Sequence, residues 1–176
     1  NLMYTAQLEN QGTWSIRYPR GTGVMPEWKT EFEEVEIGKG RKVSDGTDVA
    51  ILSIGHVGNY AIDAGKELDE KGVSVAHYDM RFVKPLDEAL LHDVFKKFNK
   101  VITIEDGCLT GGFGSAVIEF MADNGYFAQV ERLGIPDKFI DHGSQTELHK
   151  ECGYHKDDIV KAAIKLVGFG EKAAAG

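Results

Sequence analysis

The sequence predicts a three-layer α/β/α domain with a mostly parallel sheet over about residues 36–168. Three observations carry that prediction. Strand-length apolar runs alternate with stretches of helical period, the pattern of strand–helix–strand crossovers. The run "DVAILSIG" is apolar almost throughout, as expected of a strand covered on both faces. The joints between segments are short and marked by glycine, proline or a capping residue.

In chain order, residues 1–10 read as the end of a helix closed by Gly12, followed by a strand "TWSIRY" that Pro19 stops, since proline cannot donate to a ladder. A domain rarely opens inside a helix, so the chain is expected to be part of a longer protein. Glycines, prolines and charges from Arg20 to about Glu34 read as a connection. The segment "VEIGKGRKV" is expected to add an antiparallel edge strand. After "DVAILSIG" comes a helix over about 57–70, with Val57, Ala61, Ala64 and Leu68 on one stripe and Gly72 just beyond. "VSVAHYDM" is the next strand. Past Pro85, Asp87 caps a helix whose apolar face is Leu90, Leu91, Val94, Phe95 and Phe98. "KVITIED", the helix in "GGFGSAVIEFMADNG" and "FAQVERLGI" continue the alternation. Two short helices, about 144–151 and 156–167, close the domain, with Ser144 as a cap and a loose tail after them.

The 20 Lys and Arg against 28 Asp and Glu leave a net charge of −8. A nucleic-acid surface needs an excess of cations, so that class of partner is excluded. No apolar run approaches the roughly 20 residues of a membrane span. Two cysteines, Cys108 and Cys152, make no disulfide framework, and a reducing, cytoplasmic setting is expected.

Any anion site must therefore be local. Arg17 and Arg20 flank Pro19 in "SIRYPRGTG", and the bend lets at least one guanidinium turn away from the sheet. The turn "IGHVGN" lacks the spacing of a dinucleotide fingerprint and reads as a tight strand-to-helix joint. "EDGCLTGGFGSA" brings glycine N–H groups to a helix start, where anions are favoured, but Glu105 and Asp106 would repel a phosphate. Close packing of that loop against a neighbouring domain is the expectation. His149, Cys152 and His155 recur at three-residue intervals, yet no fourth ligand accompanies them and Gly153 breaks the helix; no metal site is expected. Asp141 and His142 lack a nucleophile on a strained elbow, and Cys108 has no cationic neighbour in sequence. No catalytic residue is assigned.

Five segments, "RYPRG", "IGKG", "DMRFVKPLDE", "EDGCLTGGFGSAV" and "LGIPDKFIDHGSQTEL", resemble in order and spacing the transketolase-like thiamine diphosphate family. The resemblance runs from the first residue to about Val167. It implies that residues 1–28 are the end of a pyrimidine-binding domain, 29–35 a linker, 36–168 a transketolase C-terminal domain and 169–176 a loose tail. Within the family the segments are similar to enzymes that condense pyruvate with glyceraldehyde 3-phosphate and release carbon dioxide. The resemblance implies thiamine diphosphate and Mg2+ in the full-length enzyme, and a homodimer. It assigns the acceptor phosphate to the second arginine of "RYPRG", Arg20, with Arg17 structural or a weaker candidate. A guanidinium suits a phosphate because its planar fork gives two parallel charged hydrogen bonds.

The family's magnesium and diphosphate motif, GDG followed some thirty residues later by Asn, is not matched. "EDG" at 105–107 differs from it and Asn124 comes too early. The glutamate that activates the cofactor and the substrate-handling histidines are not matched either. The resemblance thus implies a chain that alone holds no cofactor and catalyses nothing. The alternatives are the same domain of a transketolase or of a 2-oxo acid dehydrogenase β subunit, or a free-standing interaction module.

Overall fold

The computed structural model of the chain describes residues 1–10, 12–21, 23 and 29–174. Its strands are β1 Arg41–Ser44, β2 Val49–Ile54, β3 Val75–Asp79, β4 Lys100–Cys108 and β5 Gln129–Ile135. Its helices are α1 Leu2–Thr5, α2 Gly58–Glu70, α3 Glu88–Lys97, α4 Phe113–Asp123, α5 Gln145–Glu151 and α6 Lys156–Ala174. The strands form one sheet in the order β1-β3-β2-β4-β5. All pairings are parallel except β1 with β3, so the expected antiparallel edge strand is present.

The two-residue period of β2 divides the core. Val49 and Ile51 point to one face, where Ala61, Ala64 and Leu68 of α2 and Ile159, Ala163 and Leu166 of α6 cover them. Ala50 and Leu52 point to the other, under Leu91, Val94 and Phe95 of α3 and Val117 and Phe120 of α4. All four of these β2 side chains are fully buried, which is why the strand reads as a continuous apolar run. Burying each of the larger ones stabilises the fold by about 1.5–3 kcal/mol.

The chain steps from β2 outward to β3, then returns past β2 to β4. The order therefore reverses between β2 and β4, where Ile54 stands beside Glu105 at the carboxyl ends. Ligand crevices of open α/β sheets form at such a reversal.

The "IGKG" and "FVKPLDE" segments meet at the β1 edge. Asp87 accepts from the Leu90 amide (3.0 Å) as the cap of α3 and from the Gly40 amide (3.0 Å). Gly40 has no room for a side chain, because a Cβ would stand 2.6 Å from Leu90 Cδ2 and 3.2 Å from the Asp79 carbonyl. Arg81 closes the corner by donating to the carbonyls of Lys39 (2.8 Å) and Gly40 (3.2 Å). Asp87→Ala is expected to destabilise the domain by about 2–3 kcal/mol, one cap plus one half-buried amide left without an acceptor. A urea midpoint unchanged by the substitution would contradict this.

The N-terminal stretch departs from expectation. The helix expected over 1–10 is one turn, Leu2–Thr5, and "TWSIRY" joins no ladder. A strand needs a partner, and this segment pairs with neither edge strand, β1 nor β5. The segment instead holds on by side chains. Thr5 Oγ1 accepts from the Val35 amide (2.8 Å), Tyr4 stacks on Phe32 (5.6 Å) and Trp14 meets Phe82 edge-on (5.7 Å). At the other end α6 runs to Ala174 rather than stopping at 167, taking in most of the expected tail. Residues 24–28, within the expected connection and just before the expected linker at 29–35, lie outside the described residues.

Candidate functional site

Between the N-terminal stretch and the carboxyl ends of β2 and β4 lies a cleft of about 1370 Å³. Trp14, Arg17 and Tyr18 line it from one side, and His56, Asp106 and Gly107 from the other. Its position at the strand-order reversal follows from topology. Its walls come from segments that lie far apart in sequence.

The turn after β2 places His56. Gly55 adopts φ +75° and opens a 3-10 turn over Gly55–Val57. Gly58 then lies against Ser53, leaving a Cβ only 2.9 Å from Ser53 Oγ. The joint is as tight as the sequence implied, but it also turns an imidazole into the crevice.

The glycine loop before α4 is not open to a ligand. Glu105, buried at the end of β4, accepts from the amides of Phe113 (2.8 Å) and Gly114 (2.8 Å). The carboxylate thus occupies the positive N-terminus of α4 where a phosphate would otherwise sit. A Cβ at Gly112 would collide with Glu105 Oε2 and the Cys108 carbonyl. On its inner side the loop closes on Glu105 of its own sheet. These residues do not fit a thiamine diphosphate, since the donors that would cradle its diphosphate are taken.

Beside Glu105, Asp106 enters a polar cluster. Tyr154 donates to Asp106 Oδ1 (2.8 Å), His56 Nε2 lies 3.8 Å from Asp106 Oδ2, and the Tyr60 hydroxyl bonds His149 Nδ1 (3.0 Å). Burial pushes the His149 imidazole below its usual value, with Asp106 opposing and His56 and His155 adding to the effect. Burial, then the bond to Asp106, holds the Tyr154 hydroxyl far above the usual phenol range. His149 is therefore a neutral imidazole and Tyr154 a neutral donor at physiological pH.

Arg17 and Arg20 separate in the structure. Arg17 reaches Gly107, where a Cβ would stand 3.5 Å from its Nη1. Arg20 is exposed in the bend after Pro19, outside the lining of the cleft. That bend passes the first turn of α5, with Gly21 against Gln145 Oε1. Ser144 caps α5 in a reciprocal capping box with Glu147, as its position implied. Of the spaced trio His149, Cys152 and His155, only His149 joins a group with ligand geometry among the described residues, and its companions are His56 and Asp106. Those three are separated by 50 and 43 positions, so no local spacing announces them.

Fold and cleft together define a transketolase-type α/β domain with its crevice at the β2/β4 reversal. The profile of the family "Transketolase, C-terminal domain" matches residues 38–159, and the chain belongs to that family. Among curated proteins it is 69% identical over 169 residues to the 1-deoxy-D-xylulose-5-phosphate synthase of Cytophaga hutchinsonii, covering 96% of this chain and 27% of that protein. The synthase of Bacteroides thetaiotaomicron is 53% identical over 165 residues, covering 93% and 26%. The chain thus spans about a quarter of the length of the curated relatives it matches. Among solved structures, a split-gene transketolase described as an inactive beta4 tetramer superposes with a TM-score of 0.72 at 29% identity, over 77% of this chain and 44% of that one. No helix among the described residues is long and apolar enough to cross a membrane.

Proposed function

We propose that this chain is the C-terminal domain of a 1-deoxy-D-xylulose-5-phosphate synthase. The whole enzyme condenses pyruvate with glyceraldehyde 3-phosphate to 1-deoxy-D-xylulose 5-phosphate and carbon dioxide, feeding isoprenoid, thiamine and pyridoxal phosphate synthesis. The observation that carries this reading is the 69% identity to such a synthase along 96% of the chain. Residues 1–28 then belong to the preceding pyrimidine-binding domain, 29–35 link it, and 36–168 form the C-terminal domain. Thiamine diphosphate and Mg2+ sit outside this chain, in a cytoplasmic homodimer. Consistent with that, the anion-binding end of α4 is filled by Glu105. The chain alone is inactive, a reading supported by the split-gene transketolase whose tetramer is described as inactive.

Arg20 binds the phosphate of the acceptor aldehyde, and Arg17 is a secondary contact. Exposure of Arg20 in a proline-led bend supports the first role, because such a guanidinium can point at a neighbouring domain. Contact of Arg17 with Gly107 supports a bracing role for the second. In the full-length enzyme, Arg20→Ala is expected to raise KM for glyceraldehyde 3-phosphate about 10–100-fold, the loss of a charged hydrogen bond or two. KM for pyruvate should hardly move. An unchanged KM for the aldehyde would reject the assignment. Failure of the full-length enzyme to form 1-deoxy-D-xylulose 5-phosphate would reject the synthase reading itself.

A further inference from the structure

We propose that His56, Asp106 and His149 form a binding site for a divalent transition-metal ion of zinc's class at the floor of the cleft. Two imidazoles and one carboxylate are the donor set that such ions take. One donor atom from each lies within 4.8 Å of the others, with His56 Nε2 and Asp106 Oδ2 at 3.8 Å. Metal–ligand bonds of about 2.0–2.1 Å in a tetrahedron put donors roughly 3.3–3.4 Å apart. The trio is thus slightly expanded relative to a closed site, and imidazole torsions can contract it.

Two further observations point to an ion rather than a bare ion pair. His56 Nε2 is buried and has no hydrogen-bond partner. Buried polar atoms are nearly always satisfied, so this nitrogen calls for a ligand. The outer contacts also have the form found around metal sites. Tyr154 holds Asp106 by Oδ1 and leaves Oδ2 on the His56 side. Tyr60 holds His149 by Nδ1, leaving its other ring nitrogen for an ion. Partners of this kind fix the orientation of ligands they do not replace.

The scaffold suits the role. The three ligands come from the turn after β2, the end of β4 and helix α5, so an ion would tie α5 to the sheet. His56 and Asp106 line the cleft, and a fourth position on the ion would face it. Water or an anionic oxygen of a small molecule fits there.

Calorimetric titration of the 176-residue chain with Zn2+, beside visible absorption of Co2+, tests the site. One ion per chain is expected. His56→Asn and His149→Asn should each weaken binding at least about tenfold, as should Tyr154→Phe, which keeps all three ligands. His142→Asn, on an exposed histidine outside the trio, should leave binding unchanged. Circular dichroism checks that each variant is folded. If His149→Asn unfolds, the turn variant His56→Asn and the Co2+ spectrum still decide. Absence of saturable one-to-one binding, or binding that survives His56→Asn and Tyr154→Phe, would overturn the proposal. So would an equal loss in His142→Asn.

Discussion

Glu105→Ala is expected to lower the unfolding free energy by about 3–5 kcal/mol, because two charge-assisted hydrogen bonds go and two helix amides lose their acceptor. The carboxylate is almost fully buried, and its oxygens divide between the Phe113 and Gly114 amides. No other group can replace it without moving the loop, since Gly112 and Gly134 are both shaped around it. A Cβ at Gly134 would stand 3.0 Å from Glu105 Cγ. Glu105→Gln separates charge from shape. The amide oxygen can keep one bond, while its NH2 is turned against the other helix N–H, so roughly half the loss should remain. Urea unfolding reads both variants, with an unchanged slope confirming that the midpoint shift is stability. A loss below about 1 kcal/mol for the alanine variant would mean that water serves the helix end equally well.

Acid should destabilise the domain through His77. Its ring is buried on β3, with Nε2 bonded to Ser53 Oγ at 2.8 Å and Nδ1 without a partner. Burial pushes its pKa down to about 4, with Asp79 opposing that shift and Arg41 adding to it. In the unfolded chain the same imidazole takes a proton near pH 6.5. Between those values the unfolded state binds more protons, so stability is intact above about pH 6.5 and falls as the pH drops toward 4. The shift corresponds to about 3 kcal/mol over that window. Carboxylates titrate there as well, so the comparison is with His77→Asn. The variant should be weaker at pH 7 yet lose about 3 kcal/mol less on going to pH 4. Parallel pH profiles for the two proteins would show that His77 accepts its proton without cost.

Where local rules sufficed, the sequence was readable. The apolar stripes of α2 and α3, the caps Asp87 and Ser144 and the edge placement of β1 each follow from residues a few positions apart. The five family segments were visible too, although the structure gives several of them a packing role. Gly40, Asp87 and Arg81 brace one corner of the sheet, and Gly112 makes room for Glu105. "TWSIRY" misled because strand propensity does not supply a partner. Glu105 was legible as unfavourable to a phosphate at this loop, but not as the anion that folding itself brings to the helix end.

The sequence by itself therefore determined the class of fold, the order of its elements and the family. Those depend on period, caps and ordered motifs, which are properties of neighbouring residues. Only the tertiary structure decided what the polar residues do. Reversal of strand order between β2 and β4 brings His56, Asp106 and His149 within 4.8 Å across a sequence span of 93 positions. The packing of the N-terminal stretch puts Arg17 in the lining of the cleft and Arg20 outside it. Such meetings arise from chain crossing, and no local pattern encodes a crossing.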